Sequence, residues 1–173
     1  MPVPVKWNQS DIDFLALRLA GTPLVLPSGV SVGPRMIVES KDEHDWEATG
    51  REFADLALKD LARIPTGALA IPSGAKGVKF TMLRQEHFEV AERLFGAKDF
   101  DRLFIVHALE KSQRSAIEQA SRPFRVHWMD ASELVEDIEA WYRAHPRPAG
   151  LRNTLVGDIL HLLIGFCGLR RPK

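Results

Sequence analysis

The chain has a single cysteine among its 173 residues, Cys167. One thiol closes no intrachain disulfide and builds no cysteine zinc cluster, so the core alone must hold the fold. Cys167 falls in the apolar run 160–169 and reads as a small buried hydrophobe. Neither sign of charge is in excess, with 23 Lys and Arg against 23 Asp and Glu. A protein that lives on nonspecific phosphate contacts usually carries a basic surplus, so any nucleic-acid contact here must rest on where the charges are placed. No apolar run reaches the roughly 20 residues that a bilayer-spanning helix needs. The most apolar stretch, 155–169, is interrupted by Asp158 and His161. The opening Met-Pro-Val-Pro-Val lacks the charged segment and apolar core of a secretory signal. These absences lead to the expectation of a cytoplasmic protein with no membrane partner. Also missing are a glycine-rich dinucleotide loop, a phosphate-binding Gly-x-x-x-x-Gly-Lys-Ser/Thr loop, a nucleophile elbow and any internal repeat.

What is present is an ordinary globular composition, 45% apolar and 27% charged. A chain of this length makes about one domain and buries roughly 70% of its unfolded surface. Residues 10–20 read as a helix, with Ser10 as cap and Asp13 three positions on. Short apolar stretches at 24–26 and 30–32 flank Pro-Ser-Gly and predict a hairpin. Residues 35–39 form a strand with a β-branched centre. Residues 46–63 form a helix with Phe53, Ala57, Leu61 and Ile64 at helical spacing. A short buried strand is expected at 67–71, a small hairpin arm at 76–82, and a helix at 86–95 with Val90, Ala91, Leu94 and Phe95 inward and Gly96 as its stop. The unbroken apolar run 103–109 is what a strand covered on both faces looks like. A helix at 113–121, a strand at 124–129 and a helix capped by Asp130 complete the alternation, with Leu134, Ile138, Trp141 and Tyr142 as the last helix's inner stripe. Alternating strands and helices imply an α/β fold: a three-layer domain with a mixed, largely parallel central sheet flanked by helices. That domain is expected over 1–145. Residues 146–173 then form a linker and an apolar helix packed on the domain or on a second copy.

Ligands in such sheets meet the chain beyond the carboxyl ends of the strands. The strand at 35–39 ends in Glu39-Ser40-Lys41. Period-2 alternation puts Glu39 and Lys41 on one face, about 7 Å apart along the strand. A carboxylate and an ammonium so placed suit phosphodiester hydrolysis: the carboxylate holds a divalent metal and the lysine favours the developing charge. The competing reading is the start of an exposed loop, since Asp42, Glu43, His44, Asp45 and Glu47 follow at once. That acidic run fits a solvated entry to a helix N-terminus as well as an oxygen-ligand metal site. His107 and His127 read as satisfied strand histidines. Lys76, Lys79 and Arg84 gather after the 67–71 strand, and Arg147, Arg152, Arg170, Arg171 and Lys173 near the end. Either group suits phosphate contacts or simply scattered surface charge.

An E-x-K at the end of a strand, followed by a helix and a short buried strand ending in Pro-Ser, resembles the PD-(D/E)XK or restriction-endonuclease-like superfamily. Residues 36–73 carry that resemblance. It implies a metal-dependent DNA endonuclease of restriction or repair type, with Mg²⁺ or Mn²⁺ held by Glu39, Lys41 steadying the attacking water, and DNA as partner. Such enzymes place a second acid on the strand before E-x-K, yet residues 22–38 contain no Asp or Glu. In some members an acid on the first helix assists the metal, which gives that part to Asp13 here. Lys76, Lys79 and Arg84 are the candidate DNA contacts, and the C-terminal helix the candidate homodimer interface. The alternatives are a catalytically inactive relative, or a flavodoxin-like module with parallel order throughout, binding nucleic acid or protein.

Overall fold

The computed structural model describes residues 14–17, 24–25, 29, 31–41 and 50–144. Strand β1 (Phe14–Leu17) pairs antiparallel with β4 (Arg35–Lys41), and β4 pairs parallel with β5 (Asp101–Val106), itself parallel to β6 (Val126–Asp130). The sheet order is β1-β4-β5-β6. The expected hairpin is present as a separate two-residue ribbon of β2 (Leu24–Val25) and β3 (Ser31–Val32). The fold is therefore α/β with a mixed, mostly parallel sheet flanked by helices. Among the described residues, the antiparallel pair β1–β4 departs from the parallel order that a flavodoxin-like sheet requires.

Alternation along β4 and β5 divides the core. Ile37, Phe104, Val106, Val126 and Trp128 face α1 (Gly50–Leu61), α2 (Gln85–Phe95) and α3 (Lys111–Ser121), which contribute Phe53, Ala57, Leu61, Phe88, Ala91 and Ile117. Val38, Leu103 and Met129 face the other way, against Leu134 of α4 (Ala131–Ala144). Phe80, Phe104 and Trp128 form the aromatic centre, two edge-on contacts and one stack with centroids 4.7–5.1 Å apart. Offset and edge-on ring pairs of this kind add about 0.5–1.5 kcal/mol each beyond burial. The indole N–H of Trp128 is satisfied by Ser121 Oγ at 2.6 Å.

The stripe Phe53, Ala57, Leu61 and Ile64 is buried as its spacing requires. Asp130 and Glu133 cap α4 reciprocally, each carboxylate accepting the other's N–H at 3.0 and 2.9 Å. Gly96 ends α2 in the left-handed region. Four expectations fail. Residues 14–17, placed in a helix by their apolar content, are a strand; a short apolar run carries no period of its own, and pairing with β4 decides it. Residues 67–71 form no strand, and only Ile71 makes a single bridge, to Arg84. The arm expected at 76–82 is instead a loop closing into a 3-10 turn, Thr81–Leu83, with Phe80, Met82 and Leu83 buried. Leu94 and Trp141 point outward, 59% and 43% exposed, while Phe88 takes the inward place on α2. Residues 146–173, with Cys167, His161 and the C-terminal basic group, lie outside the described residues.

Candidate functional site

Glu39 and Lys41 share one side of β4, and their side chains meet, with Nζ 2.6 Å from Oε1. They stand opposite Phe104 and Val106 at the carboxyl end of the parallel pair β4–β5. The Glu39 side chain is 1% exposed and that of Lys41 12%. A carboxylate this deep in the protein is retained only if its oxygens are matched. Thr81 Oγ1 donates to Oε1 at 3.2 Å, and the Met82 N–H donates to Oε2 at 2.9 Å. A second buried acid holds the same loop: Asp60 Oδ2 accepts the N–H groups of Lys79 at 2.7 Å and Phe80 at 2.9 Å. Two carboxylates, one from β4 and one from the end of α1, thus clasp residues 79–82.

Chemically the pair combines a hard oxygen donor with a cation beside it, the donor type that Mg²⁺ and Mn²⁺ prefer. Asp13 and the acidic run 42–47 lie outside the described residues. Among the described residues, no three His, Cys, Asp or Glu side chains gather as metal ligands. Phe14, which follows Asp13 in the sequence, is paired with Val38, which precedes Glu39. Of the three candidate DNA contacts, Lys76 and Lys79 are exposed, and Lys79 lies in the clasped loop. Arg84 is half-buried at the Ile71 bridge, and its Nε has no hydrogen-bond partner among the described residues.

A second polar cluster, which no local motif announces, lies three rungs down the sheet, where Asp101 pairs with Met36. Asp101 accepts from Nε of Arg125 at 3.1 Å, shares a hydrogen bond with His127 Nε2 at 3.2 Å, and accepts the Gly33 N–H. Burial would push its carboxyl up, but the bonds from His127, Arg125 and Gly33 and the Arg125 charge outweigh it and hold it down at about 2. His127 is thus the satisfied strand histidine its position predicts. Next to it Arg102, 1% exposed, gives Nη2 to the carbonyls of Leu69 at 2.7 Å and Phe124 at 2.6 Å. Burial alone brings its guanidinium down to about 10. A pocket of about 480 Å³ opens here, along β6, and not at Glu39.

Among the described residues, no helix is long and apolar enough to cross a membrane. Compared with known proteins, the chain matches no family model, no curated protein and no solved structure. The residues that sequence reasoning missed are Asp60, Thr81 and Asp101. Each is a single polar residue whose partners come from distant parts of the chain, so spacing carries no sign of them.

Proposed function

We propose that this chain is a restriction-endonuclease-like domain that cuts DNA with a divalent metal, Mg²⁺ or Mn²⁺. The observation that carries the reading is the buried Glu39–Lys41 pair at the carboxyl end of β4, on a strand followed by a helix and then by a parallel neighbour. Glu39 would hold the metal through a carboxylate oxygen. Lys41, 2.6 Å from that carboxylate, holds its ammonium where an attacking water and the charge developing on phosphate both gain from it. Bound metal would lower the pKa of that water. Asp13 is the second carboxylate in this reading, supported by the pairing of Phe14 with Val38, the immediate sequence neighbours of Asp13 and Glu39. Lys76 and Lys79, both exposed, are the DNA contacts, acting on phosphates. The apolar segment 151–169, expected from its sequence to be helical, is the proposed dimer contact.

A second reading is favoured by the Thr81 and Met82 bonds to Glu39. They occupy the carboxylate with a structural task, and a relative that has lost catalysis would keep that task while binding nucleic acid or protein. Supercoiled plasmid incubated in Mg²⁺ and in Mn²⁺ separates the two. Metal-dependent nicking by the natural chain, lost in Lys41→Ala, is the expected result. Equal nicking by both would mean a contaminant or a site other than Lys41, and none by either moves the assignment to the non-catalytic module.

A further inference from the structure

We propose that the pocket along β6 is a binding site for a small phosphate dianion, independent of the Glu39–Lys41 pair. The pocket offers about 480 Å³ of space, a volume within the usual range for small-ligand sites. Three acids line it, and all three are committed. Asp101 takes bonds from Arg125, His127 and the Gly33 N–H. Glu118 and Glu133 both hold Arg114, at 2.8 and 2.6 Å. Arg114 in turn donates to the Trp128 carbonyl at 3.1 Å, so its charge is answered on every side.

The donors are not used up. Arg125 spends Nε and one Nη2 bond on Asp101 at 3.1 and 3.3 Å, and its side chain remains 42% exposed. A guanidinium carries five N–H groups, so three are left. Arg122 lines the same pocket and makes no ion pair among the described residues. His127 also faces the pocket, with its Nε2 engaged by Asp101. The main chain adds to this surplus. The Arg102 N–H bonds to the Arg125 carbonyl, so residues 125 and 127 turn inward to β5 and the N–H of Val126 turns outward along the pocket edge. A pocket with every carboxylate committed and two guanidinium groups still able to donate calls for an anion with several acceptor oxygens, and phosphate monoesters match forked guanidinium donors.

The backbone points the same way. Arg125 has φ of 54°, the one described non-glycine residue in the left-handed region. A long side chain held there costs free energy, and such outliers concentrate at ligand clamps. The turn of Arg122–Phe124 followed by this residue is what brings both arginines to one pocket.

The test is calorimetric titration of the full chain with inorganic phosphate in chloride buffer, with ¹⁵N–¹H spectra recorded across the titration. Saturable one-site binding that shifts the Val126 and His127 amides is expected. Arg122→Gln, at an exposed position whose loss should leave the fold intact, should weaken it about tenfold or more, the worth of a charge-assisted hydrogen bond. Lys59→Gln, exposed and outside the pocket, should bind as the natural chain does. Lack of saturation in the millimolar range, unchanged affinity in Arg122→Gln, or shifts confined to other residues would overturn the proposal. The pocket shares no lining residue with the Glu39–Lys41 pair, so phosphate binding is read separately from DNA cutting and either can fail alone.

Discussion

Glu39 and Met82 stand 43 residues apart in sequence and are joined by one hydrogen bond of 2.9 Å, from the Met82 N–H to a carboxylate that is 1% exposed. The other oxygen of that carboxylate meets Lys41 at 2.6 Å. One side chain therefore ties the loop between α1 and α2 to the sheet and holds the lysine proposed for catalysis. Structure and proposed chemistry share this carboxylate, and variants must be read with both in mind.

The pair itself should be strongly coupled. Glu39→Gln takes the carboxylate away from a nearly buried ammonium, and Lys41→Met removes a positive charge beside a buried carboxylate. Each should cost about 3–5 kcal/mol, the usual penalty for halving a buried pair. The double variant should cost clearly less than the sum of the two. Urea unfolding of the four proteins measures this; additive costs would show that the two charges are not coupled.

Asp60 offers a separate check on the clasped loop. Asp60→Ala leaves the N–H groups of Lys79 and Phe80 without their acceptor, at a cost of about 1–3 kcal/mol for each group left buried and unpaired. Hydrogen exchange at these two amides should accelerate well beyond that of Phe104 in β5. Unchanged protection would mean that the loop is held by its apolar side chains alone.

Asp101 gives a pH dependence. Its carboxyl titrates at about 2 in the fold, against about 3.9 in an unfolded chain. A depressed carboxyl stabilises above the unfolded value, and that contribution disappears as pH falls from about 4 to about 2. Asp101→Asn should therefore be less stable than the natural chain by roughly 2 kcal/mol at pH 7. The gap should close towards pH 2. A gap that stays constant across this window would contradict the geometry around Asp101.

Gly33 is required by that same carboxylate. A Cβ there would stand 2.6 Å from Asp101 Oδ2 and 3.1 Å from Arg125 Nη2. Gly33→Ala should push the carboxylate off its donors and cost about 1–3 kcal/mol, as overpacking does. Combined with Asp101→Asn it should cost less than the two changes summed. Thermal unfolding of the single and double variants decides it.

The sequence made some of this legible and hid the rest, for physical reasons. Period-2 alternation alone put Glu39 beside Lys41, and helical spacing alone placed Phe53, Ala57 and Leu61 in the core. The Asp130–Glu133 box is local and was readable as such. The strand at 14–17 was not, because its apolar side chains suit either period and its partner β4 lies about twenty residues on. Nor was the loss of a strand at 67–71, where the Leu69 carbonyl bonds to a buried arginine instead of a ladder. Asp101 stood beyond reach for the same reason: Gly33, Arg125 and His127 meet it only after the sheet has formed.

In the proposed reading the Glu39 carboxylate holds a divalent metal as well as the Thr81–Leu83 turn. Titration of the full chain with Mn²⁺, followed by the loss of its free-ion paramagnetic resonance signal, addresses it directly. Saturable binding is expected, weakened by Asp13→Asn and abolished by Glu39→Gln, with circular dichroism showing both variants folded. Absence of saturable binding in the natural chain, or equal binding in a folded Glu39→Gln, would contradict it and leave Glu39 as a buckle for the loop alone.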